Sequence, residues 1–347
     1  MKNRKIFYIN LIYYTSLLLV AVVFVLGFLD VLNNDILTTI LLQIVIITAI
    51  PLLLYSLLVS KNFKQTLKDF GFKKLSKKLV LISIGIALTL YLLNIFIANC
   101  FGSIIVLLGY DTTIPALSIS NGEMIKEFIL TACLPGLCEE IIHRGMVLNG
   151  YKKQGFTRYG LIISSLLFGL MHLNVMQFFY ATILGFFMGI SVIATESIWT
   201  SVIAHFTNNF LSVYFSLDKN LPLHDLYNFI INKIYNLNPI VFIIISTLLI
   251  LALIKIFTCL IKLAMQTKSK EQAEQLYKEL KLDDMSEEEA KVKIEDINKT
   301  LSLMKKGNVN TIIKDTEKCN FIDKIFYYSS VVLGSLATVF SFIVAIL

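Results

Sequence analysis

Four ionisable side chains stand together inside one apolar stretch: Glu139, Glu140, His143 and Arg144. His172 closes another apolar run, and His205 lies inside a third, with Asn209 four residues beyond it. Each charged group in hydrocarbon costs about 2.5–3.5 kcal/mol on insertion scales, so each one needs a reason. Helix geometry sorts them. Glu140 and Arg144 are four apart and share a face, where an ion pair lets two charges be buried together. Glu139 is turned about 100° away at 3.6 residues per turn, which leaves its carboxylate free for chemistry. His143 falls on the face of Glu139, and His205 and Asn209 share a face by the same spacing. A proton or ion pathway could use such residues, and so could an enzyme working by general acid and base.

These residues must be positioned by elements that cross a bilayer. Of the 347 residues, 56% are hydrophobic and 16% charged, with mean hydropathy +0.74; a soluble domain carries about 25% charged residues. The composition predicts an all-α, polytopic transmembrane helix bundle. Apolar runs of spanning length occur at about 6–29, 36–59, 79–108, 124–149, 159–173, 176–194, 198–217, 239–262 and 325–347. That makes about nine spans, eight plus a C-terminal one. The first run is too long for a signal-peptide core and no cleavage site follows it, so it reads as an uncleaved helix. Five cysteines with no CxxC pair exclude a disulfide scaffold. The net charge of +7 reflects basic loops and gives no reason to expect nucleic acid.

Loops 60–78 and 150–158 are rich in Lys and Arg, whereas 30–35 and 109–123 hold neither. The positive-inside rule therefore predicts a cell-membrane protein with a cytoplasmic N-terminus, an external C-terminus and an external loop at 218–238 containing His224. Residues 264–324 read as a cytoplasmic helical hairpin: Ser286 and Glu289 form a capping-box pattern, Ile294, Ile297, Leu301 and Met304 recur at helical spacing, and Gly307 ends the helix. Its mixed Lys and Glu face is either plain solvation or a docking surface for a partner. Counting from the basic ends at about 1.5 Å per residue puts Glu139 roughly 17 Å deep, His172 21 Å, His205 11 Å and Asn209 17 Å. All four could meet at one level.

The strings Glu139-Glu140-Ile141-Ile142-His143-Arg144, Phe168-Gly169-Leu170-Met171-His172 and His205-Phe206-Thr207-Asn208-Asn209 resemble the EExxxR, FxxxH and HxxxN motifs of the CPBP intramembrane proteases. That family, also called Abi, includes type II CAAX prenyl endopeptidases and bacteriocin self-immunity proteins. Gly185 and Gly189 fit its small-residue helix, and Lys68-Asp69-Phe70-Gly71-Phe72 looks like its lead-in. The resemblance implies that Glu139 and His172 activate water, that His205 and Asn209 steady an oxyanion, and that Glu140 and Arg144 are structural. Position 143 is usually aromatic in the family, so His143 is either a space filler or an accessory ligand or proton carrier.

On this reading residues 1–120 are N-terminal transmembrane helices, 121–217 a catalytic core, 218–263 an external loop and eighth span, 264–324 the hairpin and 325–347 a terminal span. The implied activity is hydrolysis of a peptide bond in a membrane-associated peptide or protein, without a cofactor. Three other readings stand beside it. Glu139, His172 and His205 could be zinc ligands, though no HExxH is present. The chain could be a non-catalytic scaffold or immunity-type protein that binds another membrane protein, or a proton-coupled carrier. For an enzyme, a polar funnel is expected between the fourth, fifth and seventh spans, opening to the cytoplasm and sideways to lipid.

Overall fold

The computed structural model describes residues 2–32, 34–107, 123–217, 221–235 and 237–279, together with positions 288, 292, 295, 315, 331, 332, 334 and 335. The capping box, the hairpin repeat and most of the terminal span lie outside the described residues. Among those described there is no strand; the elements are helices and turns.

In chain order they are α1 (Lys2–Phe28), α2 (Asp35–Ser60), α3 (Phe63–Asp69), α4 (Lys77–Leu107), α5 (124–153), α6 (Thr157–Met171), α7 (Val175–Thr195), α8 (Trp199–Phe215), α9 (His224–Tyr235) and α10 (Pro239–Glu279). Helices α2 and α5 each contain wider π-helical turns, at Leu41–Ala49 and Ser56–Ser60 in the first and at Phe128–Cys133 and Ile141–Leu148 in the second. Among the described residues five helices are long and apolar enough to cross a membrane: Arg4–Phe28, Asp35–Ser60, Lys77–Ile105, Gln177–Thr195 and Pro239–Gln275. Leu81 and Leu248, 69% and 64% exposed, show that the outer surface is apolar, as lipid requires. This is a multi-pass helical membrane protein.

The apolar runs expected from hydropathy correspond to elements of unequal length. Helix α6 has 15 residues and covers about 22 Å, short of a roughly 30 Å core. The segment expected as an external loop contains the helix α9. The predicted break at 264 is absent, because α10 runs unbroken to Glu279.

Two apolar clusters build the bundle. Ile6, Ile9, Ile12 and Leu17 of α1 pack with Ile46 and Ile47 of α2 and with Ile142 and Met146 of α5. Leu79, Ile86 and Leu90 of α4 pack with Leu184 and Met188 of α7 and with Phe257 and Ile261 of α10. Buried hydroxyls such as those of Ser16, Ser83 and Ser165 donate to the carbonyl four residues earlier, so they need no water.

One end of the bundle is closed by the basic segments. Lys153 pairs with Asp69, Asn149 Nδ2 donates to Phe70 O at 3.0 Å, and Ile198 N donates to Gly71 O at 3.0 Å. Glu196 ends α7 in a left-handed conformation (φ 55°) and receives Lys73 at 3.0 Å and Gln272 at 3.1 Å. Burial raises its carboxyl, but the Lys73 hydrogen bond and the charges of Lys73, Lys152 and Lys268 outweigh burial and hold it below the usual carboxylate range. Asp315 reaches this end too. Its carboxylate accepts from Arg158 N at 2.7 Å and Tyr159 N at 3.4 Å, capping the first turn of α6, which has no cap of its own.

Helices α6 and α7 approach at backbone distance. A Cβ at Gly185 would lie 3.0 Å from Arg144 Nη2 and 3.1 Å from the Phe168 ring, whereas Gly27 has nothing within 4 Å. Gly185→Ala is therefore expected to destabilise the detergent-solubilised protein by about 1–3 kcal/mol in thermal unfolding, as overpacking does. Gly27→Ala should leave the midpoint within error.

Candidate active site

The second half of α5 brings the acidic and basic residues to the bundle centre. Glu140, His143 and Arg144 are each 0% exposed, while Glu139 is half-buried. Arg144 Nη1 donates to Glu140 Oε1 at 2.7 Å, as the spacing of four requires. Arg144 Nη2 also reaches Gly185 O at 3.2 Å, and its guanidinium lies 4.3 Å above the Phe168 ring. The same Glu140 Oε1 accepts from His205 Nδ1 at 3.0 Å, a partner that sequence spacing could not supply.

Each of the three central histidines is held through Nδ1. His143 Nδ1 donates to Glu139 O at 2.7 Å, His172 Nδ1 to Phe168 O at 2.9 Å, and His205 Nδ1 to Glu140. Carbonyl and carboxylate oxygens only accept, so Nδ1 carries the proton in all three and Nε2 is the variable nitrogen. The Phe168 ring sits edge to face with all of them, at centroid distances of 5.1 Å to His143, 5.1 Å to His172 and 5.4 Å to His205.

His172 ends α6 as its C-cap, and Leu173 follows with φ 49°. A left-handed branched residue is costly and concentrates at functional sites. Asn174 then caps α7 by accepting from Gln177 N at 3.0 Å. This non-helical turn lies within the bundle because α6 is short, which is tolerated only against protein or water.

Glu139, His172, His205 and Asn209 all line one cavity of about 410 Å3, whose wall also includes Asn94, Phe168, Gln177, Tyr180, Asn208 and Ser212. The four residues expected from sequence are therefore brought together. His143 is not among the lining residues; its Nε2 faces Tyr13 Oη at 3.1 Å, and Tyr13 Oη also donates to Leu167 O at 2.9 Å. It is a buried tie between α1, α5 and α6.

Three site residues escaped the sequence reading. Gln43 Nε2 donates to Glu139 Oε1 at 2.9 Å. Asn94 Nδ2 donates to Asn208 Oδ1 at 3.0 Å, Asn208 Nδ2 to Asn209 Oδ1 at 3.0 Å, and Asn209 Nδ2 to Thr131 O at 2.9 Å. The Thr131 carbonyl can only accept, so it fixes the direction of the whole amide chain. Their signal was a polar residue within an apolar run, visible for Asn94 but pointing to no partner.

The expected opening at the basic end is not found. Glu140, Arg144 and Phe168 fill that side, and a second cavity of about 770 Å3 adjoins the first at Leu130, Thr131 and His172. It reaches Phe28, Asp35 and Lys126, at the opposite end. The depth count explains this, since roughly 17–21 Å from one face of a roughly 30 Å core is nearer the other face. As for metal, no group of three His, Cys, Asp or Glu side chains that could hold an ion is found among the described residues.

The cavity is lined by carboxylate, imidazole and amide side chains inside a bundle of apolar helices. The family model described as type II CAAX prenyl endopeptidase Rce1-like matches residues 121–211, a stretch that holds all three motifs. Residues 121–211 are thus similar to a type II CAAX prenyl endopeptidase domain. No curated protein and no solved structure matches it.

Glu140→Gln strips the charge from the oxygen shared by Arg144 and His205. The expected cost is about 3–5 kcal/mol, read as a lowered unfolding midpoint and poor yield. Glu139→Gln, half-buried and touched by Gln43, should unfold close to the parent.

Proposed function

We propose that the chain is an intramembrane endopeptidase that hydrolyses a peptide bond in a membrane-associated peptide or protein. The observation that carries this reading is that Glu139, His172, His205 and Asn209 line one cavity. Glu139 takes a proton from water, and His172, whose Nδ1 proton is held by Phe168 O, offers the Nε2 lone pair beside it. Attack on the scissile carbonyl develops a negative oxygen. Asn209 has one amide hydrogen on Thr131 O and a second for that oxygen. His205, with Nδ1 held on Glu140, turns Nε2 to the cavity and donates to that oxygen when Nε2 carries a proton. Glu139 then delivers its proton to the leaving amine. Water is the co-reactant and no metal takes part.

By the positive-inside rule the basic end lies in the cytoplasm, with the N-terminus, and the cavities face the opposite side. The hairpin at 264–324 docks no partner in this reading; Asp315 at α6 supports a structural role for it.

Glu139→Gln in membranes should lower cleavage by at least about 10²–10⁴-fold, the usual worth of a general base, with unchanged yield. Peptides accumulating in cells that carry the variant, identified by mass spectrometry, would name the substrate. Full activity in this variant sinks the protease reading and leaves the scaffold. Treatment with a membrane-permeant chelator should leave activity intact; loss restored only by zinc would reinstate the metal mechanism.

A further inference from the structure

Of the four residues above, His172 also lines the large second cavity. It shares Leu130, Thr131 and His172 with the reaction cavity, so whatever fills it abuts the reacting atoms. Its volume of about 770 Å3 falls within the roughly 300–1,000 Å3 of ligand sites. Its lining combines the apolar Val20, Val23 and Phe24 of α1 with the hydroxyl-bearing Thr38, Thr39 and Thr131. Apolar side chains and hydroxyls together suit an extended peptide, whose main-chain N–H and C=O groups need partners. An acyl chain would use only the apolar part of the lining.

The mouth has a sign. Asp35 is exposed in the first turn of α2, and Glu127 lines the cavity. Lys126, the cation here, is already engaged by Glu123 at 3.2 Å and Glu127 at 3.9 Å. Among the described residues of the segments joining helices at this end, Asp30, Asp35, Glu123, Glu127 and Asp225 stand against Lys126 and Lys233. Such a field draws positive charge and repels negative charge.

We propose that this cavity is the substrate-binding arm of the site and that it takes an apolar peptide segment with a basic flank, the flank resting at Asp35 and Glu127. This rests on the proteolytic reading and adds a substrate class to it.

The test uses the full chain with Glu139→Gln in nanodiscs, so that peptide is held uncleaved. The probes are a synthetic apolar peptide with a central photoreactive side chain and terminal lysines, and the same peptide with glutamates instead. The lysine peptide should label the α1 and α2 walls around Val23 and Thr38 at least about fivefold more, by electrostatic complementarity. That preference should collapse in Asp35→Asn/Glu127→Gln and weaken with salt. Equal labelling by both peptides, labelling away from these walls, or displacement by lipid irrespective of peptide charge overturns the proposal. The two readings fail separately: selective labelling without cleavage by the native chain sinks proteolysis, and cleavage of both peptides at equal rates with equal labelling sinks only the charge preference.

Discussion

A single oxygen organises the centre of this bundle. Oε1 of Glu140 accepts from Arg144 on its own helix and from His205 on α8, and Arg144 reaches on to the α7 backbone and across the Phe168 ring of α6. Four helices are thereby held in one rotational register. A buried ion pair is weak evidence for stability, because desolvating both charges offsets their attraction. Its service here is orientation. With Glu140 turned inward to Arg144, the neighbouring Glu139 side chain has one direction left, toward the cavity. The carboxylate proposed as the general base is aimed by the residue beside it.

The histidines extend the same logic. Fixing Nδ1 in all three leaves one nitrogen per ring to vary, and the environments then divide the roles. His143 is sealed between Tyr13 and the Glu139 carbonyl, His172 sits at a helix end with its turn strained, and His205 rests on a carboxylate. Residues of one type are separated by what holds their fixed nitrogen.

Much of this was legible in the sequence, because the chemistry is local. Spacings of four gave the Glu140–Arg144 pair and the shared face of His205 and Asn209, and counting along apolar runs brought four residues to one level. The rest depends on long-range geometry. Gln43 and Asn94 join the site from helices far away in the chain, and a lone amide in a leucine-rich run does not declare its partner. The mouth was assigned to the basic end because depth was counted only from there. The shortness of α6 was visible in its apolar run at 159–173, but not that this shortness admits the turn at His172.

Glycine sets the spacing of the α6–α7 hairpin. At Gly169 an added Cβ would lie 2.7 Å from the Phe178 carbonyl, and at Gly185 it would meet the buried guanidinium. The lipid-facing leucines touch no such neighbour and are interchangeable with any residue of similar hydrophobicity. Where α6 meets α7, tolerance to replacement therefore runs opposite to side-chain size: the sequence space open to this contact is narrowest at its smallest residues, and drift is easier at the large apolar residues on the outside.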